Sequence, residues 1–191
     1  MNVPEFLGHY EIIQHLGSGA YSETYRALDI TLNRTVALKL LKLDALPKGL
    51  DPNRFLEYAR PAADLVHPHL AWLWEIGEED GFYYLSERFI DGKSLAETLV
   101  NPEPVGYQQT LKITAQIAQG LEFAHARGWV HGDIKPSNIM LHPELGAVLT
   151  GFGPALAIQA LSKYLDMPYL WGGGSYTAPE IWQGQLPSAS S

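Results

Sequence analysis

Between Asp133 and Asn138 the chain places a carboxylate, an ammonium and a carboxamide within six consecutive positions, in the string His131-Gly132-Asp133-Ile134-Lys135-Pro136-Ser137-Asn138. Those three types, so spaced, can carry out phosphoryl transfer. Asp133 can accept the proton of an attacking hydroxyl, Lys135 can hold a charged phosphate, and Asn138 can ligate a metal cation through its amide oxygen. A single His, Asp or Asn is ordinarily a turn or core residue; the ordered string carries the signal.

A second group lies near the N-terminus. Leu16-Gly17-Ser18-Gly19-Ala20-Tyr21-Ser22-Glu23-Thr24 contains glycines that let backbone N–H groups approach phosphates closely, which a Cβ would obstruct. Alone it reads equally well as an ordinary hairpin. The strand expected next, Arg34 to Lys42, changes the balance, because period-two geometry puts Ala37, Lys39 and Leu41 on one face. Ala37 could lie against a base while Lys39 reaches its phosphates.

The elements that must position these groups read as a strand-rich third followed by a helical remainder. Strands are expected over Tyr10 to Leu16, Glu23 to Asp29, Arg34 to Lys42, Ala71 to Gly77 and Phe82 to Glu87. Asp51-Pro52 is an N-cap and first helical position, and the helix it opens is expected to reach about Val66 and stop before Pro68. Ser94 caps a short helix to Val100. A longer helix from about Gln108 to Arg127 carries Leu111, Ile117, Ala118, Leu121 and Ala124 at helical spacing and ends at Gly128. A β-rich lobe followed by an α-rich lobe implies a cleft, a common place for a ligand.

The chain has 191 residues, 46% of them hydrophobic, enough for a packed core in one domain or two small lobes. A net charge of -8 argues against nucleic acid or an anionic membrane as partner. With no Cys there is neither a disulfide nor a thiolate metal site. No signal peptide or long apolar run is visible, so a cytoplasmic location is expected.

Taken together, the glycine-rich loop, the Lys39 strand, the His131–Asn138 string and Tyr176-Thr177-Ala178-Pro179-Glu180 resemble, in order and over Tyr10 to Glu180, a Ser/Thr protein kinase of the eukaryotic-like type found in bacteria. The resemblance implies an α+β, bilobal kinase-like fold. Residues 1–9 would be an extension, 10–88 the small β-rich lobe with one main helix, 89–93 the hinge, and 94–191 a partial, mainly α large lobe lacking the central helix and the part beyond it. It implies ATP as ligand, held by Leu16, Gly17, Ser18, Gly19, Ala20 and Lys39, with Thr24, Ala37 and Met140 sandwiching the adenine. Asp133 would be the base, Lys135 would steady the γ-phosphate, and Asn138 would bind Mg²⁺. His131 would pack.

The pattern is broken at several points. The helix position of the lysine-pairing Glu is Tyr58, and Glu57, one residue away, lies about 100° round the helix. Pro61 cannot donate to the Glu57 carbonyl, and a bulge there offers a route by which Glu57 turns toward Lys39. Gly151-Phe152-Gly153 stands where the family has Asp-Phe-Gly, so the carboxylate that grips Mg²⁺ is missing and metal binding is expected to be weak. Gly132 replaces the Arg that reads an activation-loop phosphate, and Gly173 the loop threonine. Glu87-Arg88 stands where an apolar gatekeeper and an acid are usual. Between Gly153 and Gly172 the only hydroxyls are Ser162, Tyr164 and Tyr169.

These departures lead us to expect a pseudokinase that binds nucleotide weakly and acts through an unidentified protein partner. Three alternatives stay open: an active Ser/Thr protein kinase with an unidentified protein substrate, a non-functional truncated remnant, and a small-molecule phosphotransferase, whose His-Gly-Asp start is shared. The apolar underside formed by Ile134, Ile139 and the Gln108–Arg127 helix is expected to be exposed and to invite association.

Overall fold

The computed structural model describes residues 3–101, 104–164 and 175–190. Alternation of apolar and polar side chains builds a six-stranded antiparallel sheet from β1 (Phe6–Leu7), β2 (Tyr10–Ser18), β3 (Ser22–Asp29), β4 (Arg34–Leu41), β5 (Leu73–Glu79) and β6 (Phe82–Arg88), in the order β1-β2-β3-β4-β6-β5. On β4, Val36, Leu38 and Leu40 are fully buried on one face with Leu7, Tyr10, Ala27 and Tyr84. Ala37 and Lys39 are thereby committed to the other face.

Helix α1 (Pro52–Ala59) starts as its sequence indicates, with the Asp51 carboxylate accepting the Asn53 N–H at 3.0 Å. It stops short of Val66. Pro61 has no N–H to offer, the Arg60 N–H turns back to the Glu57 and Leu56 carbonyls, and the chain tightens into a 3₁₀ turn, Arg60–Asp64.

The second lobe holds α2 (Leu95–Leu99), α3 (Tyr107–His125) and a small sheet of β7 (Lys93–Ser94), β8 (Ile139–His142) and β9 (Gly146–Leu149). Ser94 and Glu97 close a reciprocal capping box at the start of α2. On α3 the buried stripe is Ile113, Ile117, Gly120 and Ala124, so the expected apolar face is rotated: Leu111 and Ala118 stand on the exposed side. Gly120 allows this packing, since a Cβ there would come 2.8 Å from Leu70 Cδ2. Ile139 is buried and Ile134 half-buried, so the expected exposed underside does not include Ile139. No helix of the described residues is long and apolar enough to cross a membrane.

Directly after Gly151 comes α4 (Phe152–Tyr164), an element the sequence reading did not anticipate. It is mostly apolar, with no single hydrophobic face, and Phe152, Ala155, Leu156, Ala157, Ile158 and Leu161 are all buried. The main core runs through it, joining Phe55, Leu56 and Ala59 of α1 to Leu85, Ile113, Ile117, Leu149 and Ile181. Of the candidate hydroxyls, Ser162 is buried, whereas Tyr164 is exposed with the Arg54 guanidinium 4.5 Å from its ring centroid. Tyr169 and Gly173 lie outside the described residues. A last short helix, α5 (Pro179–Trp182), follows Ala178.

Candidate functional site

The His131–Asn138 string folds around a buried histidine. His131 Nδ1 accepts the backbone N–H of Asp133 at 3.1 Å, which leaves the ring proton on Nε2 to donate to the Thr150 carbonyl at 3.0 Å. Phe152 meets the ring edge-on at 4.6 Å. Burial pushes the His131 pKa down to about 4, so the ring is neutral and structural. It pins the loop's backbone so that Asp133, Lys135 and Asn138 converge. Asp133 Oδ2 accepts from Lys135 Nζ at 2.8 Å and from Asn138 Nδ2 at 2.9 Å, and Asn138 Nδ2 also reaches the Asp133 carbonyl at 2.8 Å. The loop is braced from behind by Gln159 of α4, whose amide donates to the Val130 and His131 carbonyls.

The glycine-rich segment forms the β2–β3 hairpin. Gly17 pairs with Thr24 and Ser18 with Glu23, and the Gly19 N–H donates to the Ser22 carbonyl at 2.8 Å. A Cβ on Gly17 would meet nothing within 4 Å, so packing does not demand a glycine there. The tip is clasped by Lys42, whose Nζ reaches Ser18 Oγ at 2.6 Å, the Gly19 carbonyl at 2.8 Å and Glu23 Oε1 at 2.8 Å. The Lys42 hydrogen bond, seconded by His15, draws the Glu23 carboxyl down to about 2. Leu16 and Ala20 are exposed at this hairpin.

Strand register decides what faces what next. Thr24 stands directly opposite Lys39, and Glu87 opposite Ala37, so all four side chains share one face of the sheet. Lys39 Nζ donates to Glu87 Oε2 at 2.7 Å, with both side chains largely buried. Glu57 is exposed, and Tyr58 is half-buried. The helix bulge at Pro61 therefore does not deliver Glu57 to Lys39; the ammonium finds its carboxylate on β6. Met140 stands on β8 among Ala71, Ile90 and Val148.

At Gly151 the backbone adopts φ +92°, and a Cβ built there would lie 3.9 Å from Lys39 Nζ and 4.0 Å from Asn138 Nδ2. Lys39 of the β-rich lobe and Asn138 thus flank one point.

A family model for the protein kinase domain matches residues 10–190. The chain belongs to the protein kinase family. It is 33% identical over 184 residues to the serine/threonine-protein kinase PrkC of Bacillus subtilis, covering 96% of this chain and 28% of that protein. It is 32% identical over 195 residues to the serine/threonine-protein kinase PknB of Mycobacterium leprae, covering 98% and 31%. The chain thus spans about a third or less of the length of these curated relatives. Among solved structures, the PknI kinase domain of Mycobacterium tuberculosis superimposes with a TM-score of 0.76 at 25% identity, covering 99% of this chain and 71% of that one.

The donor set does not fit a protein-held magnesium ion, the cation this kinase family uses. Magnesium takes one or two carboxylates beside phosphate oxygens. Here Gly151 has no side chain, Asn138 is neutral, and Asp133 is already paired with Lys135. Among the described residues no group of three or more His, Cys, Asp or Glu is placed to hold a metal ion.

Sequence reasoning missed Lys42 and Gln159, and it marked Glu87 only as an acid at the gatekeeper position, not as the partner of Lys39. Glu87 alone carries a usable signal: an acid closing the otherwise apolar or neutral run Phe82-Tyr83-Tyr84-Leu85-Ser86 calls for a buried cation, though the run does not say which one.

Proposed function

We propose that this chain is a nucleotide-binding kinase-fold module, impaired in phosphotransfer, that acts through partner proteins. Gly151 carries the reading. A carboxylate at this position would stand between Lys39 and Asn138, where the charge of a metal–phosphate complex must be met; glycine leaves that place without one. Removing a single oxyanion donor lowers a rate by about 10²–10³, and the loss of a metal anchor is at least as severe. ATP would be held by the glycine-rich hairpin from Leu16 to Ala20 and by Lys39, with Thr24, Ala37 and Met140 about the base.

A second reading, an active Ser/Thr kinase, is favoured by one specific observation, the hydrogen-bonded cluster of Asp133, Lys135 and Asn138. Labelled-phosphate transfer from ATP to protein acceptors, with Mg²⁺ and separately with Mn²⁺, separates the two. Saturable ATP binding without transfer is the expected result. Transfer that disappears in Asp133→Asn would establish the second reading instead.

A further inference from the structure

We propose that Glu87 is the positioning residue of Lys39, a carboxylate supplied by the sheet in place of the one missing from helix α1. The inference rests on the reading that the cleft takes a nucleotide.

The contact is fixed by strand register. β4 and β6 pair antiparallel with Lys39 opposite Leu85 and Ala37 opposite Glu87, so Lys39 and Glu87 are diagonal neighbours on one face. The 2.7 Å contact follows from that placement. Burial makes it obligatory. The Glu87 side chain is 3% exposed and that of Lys39 12%, and a charge withdrawn from water this far is tolerated only when paired. A protonated amine carries three N–H donors, and Glu87 takes one. A Cβ at Gly151 would lie 3.9 Å from Nζ, so the ammonium also stands beside that point, with donors to spare for an anionic phosphate.

The other Glu87 oxygen, Oε1, is buried without a hydrogen-bond partner among the described residues and faces Gly153 at the start of α4, where a Cβ would lie 3.7 Å from it and 2.9 Å from Leu85 Cδ2. The first turn of helix α4 thus covers the Glu87 end of the pair. The consequence is mechanical. A carboxylate on a helix releases its lysine whenever the helix moves; one on a central strand does not. Lys39 is held in its phosphate-facing posture whatever α1 does.

The test uses the full chain, with Glu87→Gln, which keeps the shape and removes the charge. Two readouts are taken: the Kd for metal-free ATP, and the rate at which Lys39 is acylated by an activated acetyl ester across pH 7–10, with exposed Lys93 as internal reference. Losing a charge-assisted hydrogen bond should weaken ATP about tenfold and accelerate Lys39 acylation by about the same factor, with Lys93 unchanged. A purely packing role moves neither, since the variant is isosteric. Unchanged values, or tighter ATP binding showing that Glu87 sequesters the lysine, would overturn the proposal. If the wild type binds no ATP, the nucleotide reading falls, and the acylation profile still decides whether Glu87 governs Lys39. Should E87Q not fold, Glu87→Asp keeps the charge and withdraws it by one bond; intermediate effects support the proposal, and wild-type behaviour overturns it.

Discussion

The amide of Asn138 and the carboxylate of Asp133 are tied to each other at 2.9 Å, and the same carboxylate oxygen holds Lys135 at 2.8 Å. The cluster is neutralised internally: one anion, one cation and one amide whose nitrogen is committed as a donor. Nothing in it supplies a spare negative charge for a metal, which is why the residue at position 151 matters so much.

Converting that amide into an acid should show the balance directly. Asn138→Asp replaces a donor at 2.9 Å by a second carboxylate, so the Asp133 hydrogen bond becomes a like-charge contact. We expect a loss of about 1–3 kcal/mol at pH 7.5, partly recovered by lowering the pH so that the pair shares a proton. Urea denaturation at the two pH values checks this, and equal losses at both would contradict it.

Gly151→Asp should be a costly gain. Its φ of +92° lies where side chains other than glycine are strained, so the metal-free variant should lose about 1–2 kcal/mol. The new carboxylate would lie beside Lys39 and Asn138 and should create a Mg²⁺-dependent rise in melting temperature with ATP that the wild type lacks. Thermal melts with and without Mg²⁺ report both effects.

His131 sets an acid limit on stability. Its pKa in the folded chain is pushed down to about 4 from an ordinary 6.5 because burial disfavours the charged ring. As pH falls below 6.5 the unfolded chain takes up a proton that the folded chain refuses. Stability present above that value is therefore lost progressively down to about pH 4. This residue's share is roughly 3 kcal/mol. In His131→Gln the difference in unfolding free energy between pH 7 and pH 4.5 should shrink accordingly.

Ile158 tests whether α4 is core. It is 2% exposed and packs in the same cluster as Phe55 and Leu85. Ile158→Ala should destabilise by about 2–4 kcal/mol, whereas a residue on a surface loop would change stability by about 0.5 kcal/mol or less. Chemical denaturation distinguishes these outcomes.

Much of this protein is legible in its sequence because local chemistry decides it. Asp51-Pro52 and Ser94 announce helix starts because capping is settled within four residues. Val36, Leu38 and Leu40 announce a half-buried strand because the period of two is intrinsic to the backbone. The His131–Asn138 string is legible because one short loop brings its own partners together.

What the tertiary structure alone decided is whatever depends on segments far apart in sequence. The stretch after Gly151 is apolar without a periodicity that separates helix from loop, and only its burial against α1 makes α4. The α3 stripe is rotated because Gly120, not Ala118, meets Leu70. Residue order and Pro61 point to the helix for the partner of Lys39, but a buried ammonium is held by whichever carboxylate the strand register brings within reach. That register places Glu87 there, across a separation of 48 residues that no local rule spans.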